Sequence, residues 1–330
     1  MIKERTSILA LAGYLLATIF SFVPQAQACF DLTVRDAAFD QPRDMHLLGV
    51  IAPAGDPAGE EIYLRLEEWL DGSGQNLNIE LQRVDTENPD TPWEDYGIPS
   101  APPAVPVMVL AGRGSAALGR SNFVVDHWEP APGNRDLDAL KSSPAREAIR
   151  NQAGHRLAVL VHVPASDNRG GAAEDAIDSV VRAWSKREPL GVGLVRVDRS
   201  DKREKLLLSF MGVRKTGPDW VGVVFGRGKL MPPLKGEEIT GENLNSSLET
   251  LIGECSCLQS PTALGIDLPL DWDKACDESV VALRSTDILA GSIAGAGGDI
   301  LAPALWTLAG LVVLIGLATT WIVKSKKREF

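Results

Sequence analysis

The sequence is short of the residues that chemistry uses most. Four cysteines, four histidines and three tyrosines are spread over 330 residues, and aromatic residues make up only 6%. Positive charge is also in deficit: 33 Lys and Arg stand against 44 Asp and Glu, a formal net charge of −11. This deficit excludes nucleic acid as a partner, because affinity for it comes mainly from neutralising phosphates with Lys and Arg. It also argues against a folded part that lies on an anionic membrane surface. His46, His127, His155 and His162 show no metal-ligand spacing such as His-x3-His, and no cofactor is called for. No Gly-x-Ser-x-Gly elbow occurs, and neither Gly-Arg-Gly sequence continues into a phosphate loop. Carboxylates are plentiful but show no convergent pair, so a hydrolase has no candidate residues.

What is present begins at the two ends. Lys3 and Arg5 precede an apolar run, Ile8 to Val23, and then the small-x-small sequence Ala26-Gln27-Ala28. This pattern marks residues 1–28 as a signal peptide and Cys29 as the first mature residue. Ala26 stands where a lipidation signal wants Leu, which favours ordinary cleavage over lipidation of Cys29. At the other end, residues 303–323 carry no charge and would span roughly 30 Å as a helix. Trp306 and Trp321 lie near its ends, and Lys324, Lys326, Lys327 and Arg328 follow it. The positive-inside rule places that basic tail, 324–330, in the cytoplasm. The expectation is a single-pass protein of a bacterial-type inner membrane, in contact with the bilayer through 303–323 and with its N-terminal domains in the periplasm. So short a tail leaves any inward signal to a partner membrane protein.

The four cysteines, Cys29, Cys255, Cys257 and Cys276, all fall on the exported side. An even count in an oxidising compartment points to disulfides, and four cysteines allow three pairings. Cys255 with Cys257 would close a very tight loop, so the expectation is Cys276 with one of them and Cys29 with the other. The same cluster is the best candidate for soft-metal (copper or zinc) or thiol–disulfide chemistry, although no histidine lies near it in sequence.

Between the ends the chain repeats with a period near 113 residues. Pro53 corresponds to Pro164, Trp69 to Trp184, and Arg83-Val84-Asp85 to Arg196-Val197-Asp198. Gly97 corresponds to Gly212, and Gly112-Arg113-Gly114 to Gly226-Arg227-Gly228. In each copy a β-branched apolar run (Leu47 to Ile51, Leu157 to Val163) predicts a buried strand. An amphipathic helix follows, with Ile62, Leu66, Trp69 and Leu70 on one face in the first copy, and Ile177, Val180, Val181 and Trp184 in the second. This spacing makes the two tryptophans core anchors. Further strands are predicted at 77–84, 105–110, 192–197 and 220–225. A closing helix is clear at Leu244 to Ile252 and weaker near Leu137 to Ile149, where Pro144 breaks it. Arg113 and Arg227 recur at equivalent turns, either as contacts for a shared partner or as solvated hairpin tips.

Strand, helix, strand, connecting segment, hairpin and closing helix is the order of the thioredoxin fold, and the Pro-rich approaches to the third strands resemble its cis-proline segment. Pro218 fits that role best, with Pro103 as its counterpart. The resemblance implies an α/β protein with two tandem thioredoxin-like domains, 29–150 and 151–262, followed by a Cys-containing segment and stalk, 263–302, and the transmembrane helix. It also implies a redox Cys-x-x-Cys after the first strand of each copy, where a helix N-terminus stabilises a thiolate. The corresponding segments, Ala52 to Glu61 and Val163 to Asp175, contain no cysteine. The expectation is therefore a non-catalytic, membrane-anchored binding or assembly subunit.

Overall fold

The computed structural model describes residues 33–88, 90, 96, 106–114, 121–129, 132–166, 171–187, 190–253 and 265–281. The expected signal peptide, Cys29, Pro103, Cys255, Cys257, the stalk beyond 281, the helix expected over 303–323 and the tail lie outside the described residues. Among the described residues no helix is long and apolar enough to cross a membrane. They all fall within one compact unit that ends at Leu283.

The chain forms a mixed α/β structure with two sheets. After a short helix α1 (Val34–Asp40), the apolar run becomes β1 (His46–Ala52), followed by α2 (Pro57–Asp71) and β2 (Ile79–Asp85). Then come β3 (Val107–Gly112), β4 (Phe123–Trp128) and α3 (Asn134–Lys141). β2 runs parallel to β1, while β3 and β4 are antiparallel, giving the order β2-β1-β3-β4. Helix α2 starts where Asp56 accepts the Gly59 N–H at 2.8 Å and Pro57 takes the first turn, which needs no N–H there. Its Ile62 and Leu66 are buried on the sheet, worth about 1.5–3 kcal/mol each.

The second half repeats this order. Helix α4 (Pro144–Ala153) leads into β5 (Ala158–Val163), α5 (Gly171–Trp184) and β6 (Val192–Arg196). Next are α6 (Lys205–Met211), β7 (Trp220–Phe225), the two-residue strands β8 (Lys229–Leu230) and β9 (Leu234–Lys235), and α7 (Gly241–Ile252). β10 (Ile266–Asp267) and α8 (Lys274–Glu278) close the chain. The sheet order is β10-β8-β7-β5-β6, with β9 also on β7. The weak helical stretch around Pro144 is two helices. Pro144 occupies the first turn of α4 behind the cap Ser143, so the proline starts a helix there and breaks none.

The ladders set the correspondence between the halves. Arg83 lies beside Val50 on β1, and Arg196 lies beside His162 on β5, separations of 112 and 113 residues. Each arginine reaches an acid of the helix that precedes its strand: Arg83 meets Glu60 at 2.5 Å and Arg196 meets Asp178 at 2.6 Å. Pro53 and Pro164, matched in sequence, stand one residue out of step with this register.

One apolar cluster runs through both sheets. It joins Leu48, Val50 and Leu66 of the first half to Val159, Val161 and Phe210 of the second. Ile266, Leu268 and Leu270 belong to the same cluster. They sit on a C-terminal strap, residues 265–281, whose first six residues are all buried. The strap bonds to both halves: Leu268 N–H donates to Gly228 O at 2.8 Å, and Trp272 N–H donates to Asn76 O at 3.3 Å. Arginines hold its carbonyls. Arg43 donates to Leu268 O and Leu270 O, Arg146 to Pro269 O, Arg150 to Asp271 O, and Arg35 to Val281 O. Helix α1 stands beside the strap's far end and bonds to the end of α7, Val34 N–H to Gly253 O at 3.1 Å.

Arg35 is fully buried and also donates to Gly154 O and Arg156 O, so it ties three distant segments together. Arg35→Met strands these carbonyls in a dry site, each worth about 1–3 kcal/mol if left unpaired. Urea unfolding should show a loss of about 3 kcal/mol, several times that of Arg187→Met, whose side chain stacks on the Trp184 ring.

Candidate functional site

The ends of β1 and β5, where the chain turns into its first helix, are the positions that the sequence pattern singles out. At the second, β5 turns through Pro164, Ala165 and Ser166. Asp219, just ahead of β7, accepts at Oδ1 from His162 Nε2 at 2.9 Å and from Ala165 N–H at 3.2 Å. Ser166 and Gly217 bond reciprocally: Ser166 N–H donates to Gly217 O at 3.1 Å, and Gly217 N–H donates to Ser166 Oγ at 3.2 Å. Arg199 spreads its guanidinium over Pro164 O, Pro218 O and Arg214 O. Three loops are thus locked to one another by a single fork of donors, a geometry that arginine provides and lysine cannot.

His162 is 2% exposed. Its bond to Asp219 places a proton on Nε2. Nδ1 has no hydrogen-bond partner among the described residues. His162 is therefore anchored on one side only.

At the first position, the end of β1 opens into a cleft of about 250 Å³ lined by Pro53, Gly55, Asp56, Glu60, Arg83 and Asp85, among others. Each of its acids is engaged. Asp56 caps α2, Glu60 pairs with Arg83, and Asp85 Oδ1 accepts from Ala54 N–H at 3.2 Å and Glu87 N–H at 2.9 Å. The cleft can take a small hydrogen-bonding group, but its lining offers no thiol and no imidazole.

The other residues singled out by sequence are scattered. Pro218 precedes β7 and gives its carbonyl to Arg199. Arg113 is exposed, with Nε donating to Met45 O at 3.0 Å. Arg227 has a different setting from a solvated tip: it meets Asp277 of the strap at 3.2 Å, on a turn covered by α1 and the strap. Gly226 (φ 57°) and Gly228 (φ 108°) need their left-handed geometry there, and a Cβ on either would sit within 2.7 Å of Ala38 or Leu270. Cys276, on α8, is half-buried and pairs with no cysteine among the described residues. Burial pushes that thiol's pKa up, which keeps it protonated and a poor nucleophile or ligand at neutral pH. Among the described residues no three His, Cys, Asp or Glu side chains gather as metal ligands.

Sequence reasoning missed a buried ionic cluster where the strap crosses β1. Lys229, 2% exposed, lies 3.1 Å from Asp44 and 3.2 Å from Asp267. The two acids also bond each other's backbone, Asp44 N–H to Asp267 Oδ2 and Asp267 N–H to Asp44 Oδ2. His46 Nε2 donates to Asp267 O at 2.8 Å while Nδ1 accepts the Arg113 N–H at 3.2 Å. Its ring meets the Phe210 edge at 4.7 Å. Burial drives His46 down to about 4, so it is neutral and structural around pH 7. The available signal was a histidine opening an otherwise apolar strand.

No protein-family model matches the chain, and no curated protein matches it. Among solved structures it is similar to the first two thioredoxin domains of Saccharomyces cerevisiae Eps1p, with 12% identity over 62% of this chain and 92% of that one. The TM-score is 0.24, too low to carry an argument.

Asp219→Ala removes the acceptor shared by His162 and the Ala165 N–H. Stability should fall by about 2 kcal/mol, and amide exchange at Ala165 and Ser166 should speed up while that of β1 does not. Unchanged exchange in that loop would show that Arg199 and the Ser166–Gly217 pair hold it without Asp219.

Proposed function

We propose that this chain is a membrane-anchored, extracytoplasmic binding or assembly subunit, built from two thioredoxin-like units that have no redox site and serving a membrane protein complex or transporter. One observation carries the reading. The turn after β5, where a thioredoxin-type enzyme presents its thiols, is Pro164-Ala165-Ser166, sewn to its neighbours by Asp219, Gly217 and Arg199. A turn so fully bonded is built to hold a shape, and shape is what a binding surface needs. The strand and helix order of both halves, and their matched Arg83 and Arg196 ion pairs, support a common thioredoxin-like ancestry for the two units.

The anchor and export rest on the sequence patterns of residues 1–28 and 303–323. Gentle detergent extraction followed by affinity purification should recover a membrane protein at constant ratio to this chain. Recovery of this chain alone, across several mild detergents, would sink the proposal.

A second reading is thiol or soft-metal handling by Cys255, Cys257 and Cys276, and burial, which raises the pKa of Cys276 wherever it is a thiol, does not favour it. Thiol trapping and mass spectrometry on protein isolated without reductant should find Cys29, Cys255, Cys257 and Cys276 closed in two disulfides. Trapped free thiols, or bound copper or zinc, would favour the second reading.

A further inference from the structure

We infer that the outer edge of β2 docks an extended segment of a partner protein as an added strand, and that the cleft at the end of β2 takes a lysine or arginine side chain of that segment. This deepens the binding-subunit reading and rests on it. The register fixes which backbone groups face outward. His46 N–H donates to Asn78 O and Thr86 N–H donates to Ala52 O, so the even-numbered residues of β2 bond to β1. The alternate residues, Leu81 and Arg83 among them, turn their N–H and C=O the other way, and β2 is the last strand of its sheet. Among the described residues no backbone group pairs with the N–H or C=O of Leu81 or Arg83 on that side. Unpaired ladder groups are a template for another chain.

The other sheet edges offer less. β10 has two residues. The register of β4 on β3 slips between Leu110 and Ala111, a bulge of the kind that turns an edge away from pairing. In β6 the outward-facing Val192 is 2% exposed, so that edge is covered where it begins. β2 keeps seven unbroken pairs with β1, and along it Glu80 and Arg83 are exposed while Leu81 and Gln82 are half-buried. The Arg83 charge is drawn back from the edge: its guanidinium lies 4.2 Å over the Tyr63 ring and pairs with Glu60, both on α2.

The cleft selects the side chain. A strand laid along β2 passes it at Asp85, and its lining carries three carboxylates, Asp56, Glu60 and Asp85, against one cation, Arg83. That imbalance favours an incoming ammonium or guanidinium. It also separates a foreign segment from a second copy of this chain. Any antiparallel register that pairs both Leu81 and Arg83 within a second β2 sets Ile79, Leu81 or Arg83 opposite Arg83. Those registers bring an apolar group or a like charge to the cleft end, and like charges directly opposite are destabilising.

Hydrogen exchange on the full chain reads the ladder directly. In the free protein the amides of Leu81 and Arg83 should exchange fast, and those of Gln82 and Val84 slowly. A short peptide alternating threonine and valine, with one lysine near its middle, should slow Leu81 and Arg83 and leave the second sheet unchanged. Glutamate in place of that lysine should weaken binding about tenfold. Leu81→Pro removes an N–H that bonds nothing within the sheet, a position where an edge strand tolerates proline, and should weaken the lysine peptide about tenfold. Slow exchange at Leu81 and Arg83 in the free chain would overturn the inference, as would equal binding of the two peptides or protection that misses β2; these readings need no variant to fold. A folded Leu81→Pro chain that still recovers a membrane protein at undiminished ratio would overturn the edge and leave the subunit reading intact. Peptide protection of β2 in a chain that recovers no membrane protein would do the reverse.

Discussion

The fold depends on a bargain between buried guanidinium groups and the carbonyls of a segment that cannot form a ladder. Pro269 in the middle of the strap has no N–H to give, and β10 ends after two residues. The carbonyls of Leu268, Pro269, Leu270 and Asp271 would otherwise be buried without donors. Arg43, Arg146 and Arg150 supply those donors. The need is mutual, because a buried guanidinium has five N–H groups to satisfy and no way to discharge itself near neutrality. Burial lowers the pKa of Arg43 and of Arg146 to about 10, far too little to neutralise either. Neither partner is comfortable alone in that groove, and together they determine where the strap lies.

This arrangement explains why the two halves share one core. In an ordinary pair of domains each sheet would bury its own faces and a linker would join them. Here α4 and α6 lie between the sheets with Ile149, Leu207 and Phe210 in the common cluster. Glu204, ahead of α6, accepts from Ser143 Oγ and the Ala145 N–H at the start of α4, which fixes those two helices together. The ends of β1 and β5 therefore belong to one frame, and any ligand surface made from them is held without a hinge between them.

Much of this was written plainly in the sequence. The β-branched runs became β1, β5 and β7, the i, i+3, i+4 spacing of Ile62 and Leu66 put them on the sheet, and Trp184 is a core anchor with its indole N–H on Asn245. These features depend on neighbours a few residues apart. The ionic cluster depends on pairs such as Asp44 and Asp267, 223 residues apart, and no local pattern links two aspartates at that distance. The strap was partly legible: Ile266, Leu268, Leu270 and Trp272 alternate with polar residues or proline, the period of an extended chain with one face buried. The Gly-Arg-Gly turns looked alike because their residues are alike. The strap covers the second of them, and nothing within that turn announces a cover that comes from forty residues downstream.

The bond from Arg43 to Leu270 closes a loop of 227 residues. A chain made from its N-terminus has nearly all of both sheets in hand before the residues that complete the junction exist. Until then Arg43, Asp44 and His46 stand at the mouth of β1 with their partners on the strap unmade. Long-range closure of this kind slows folding far more than it weakens the finished state. The last of the described residues to be synthesised thus complete the junction: a chain cut short before Gly265 would have every strand of the first sheet and still lack the piece that lets its charged edge be buried.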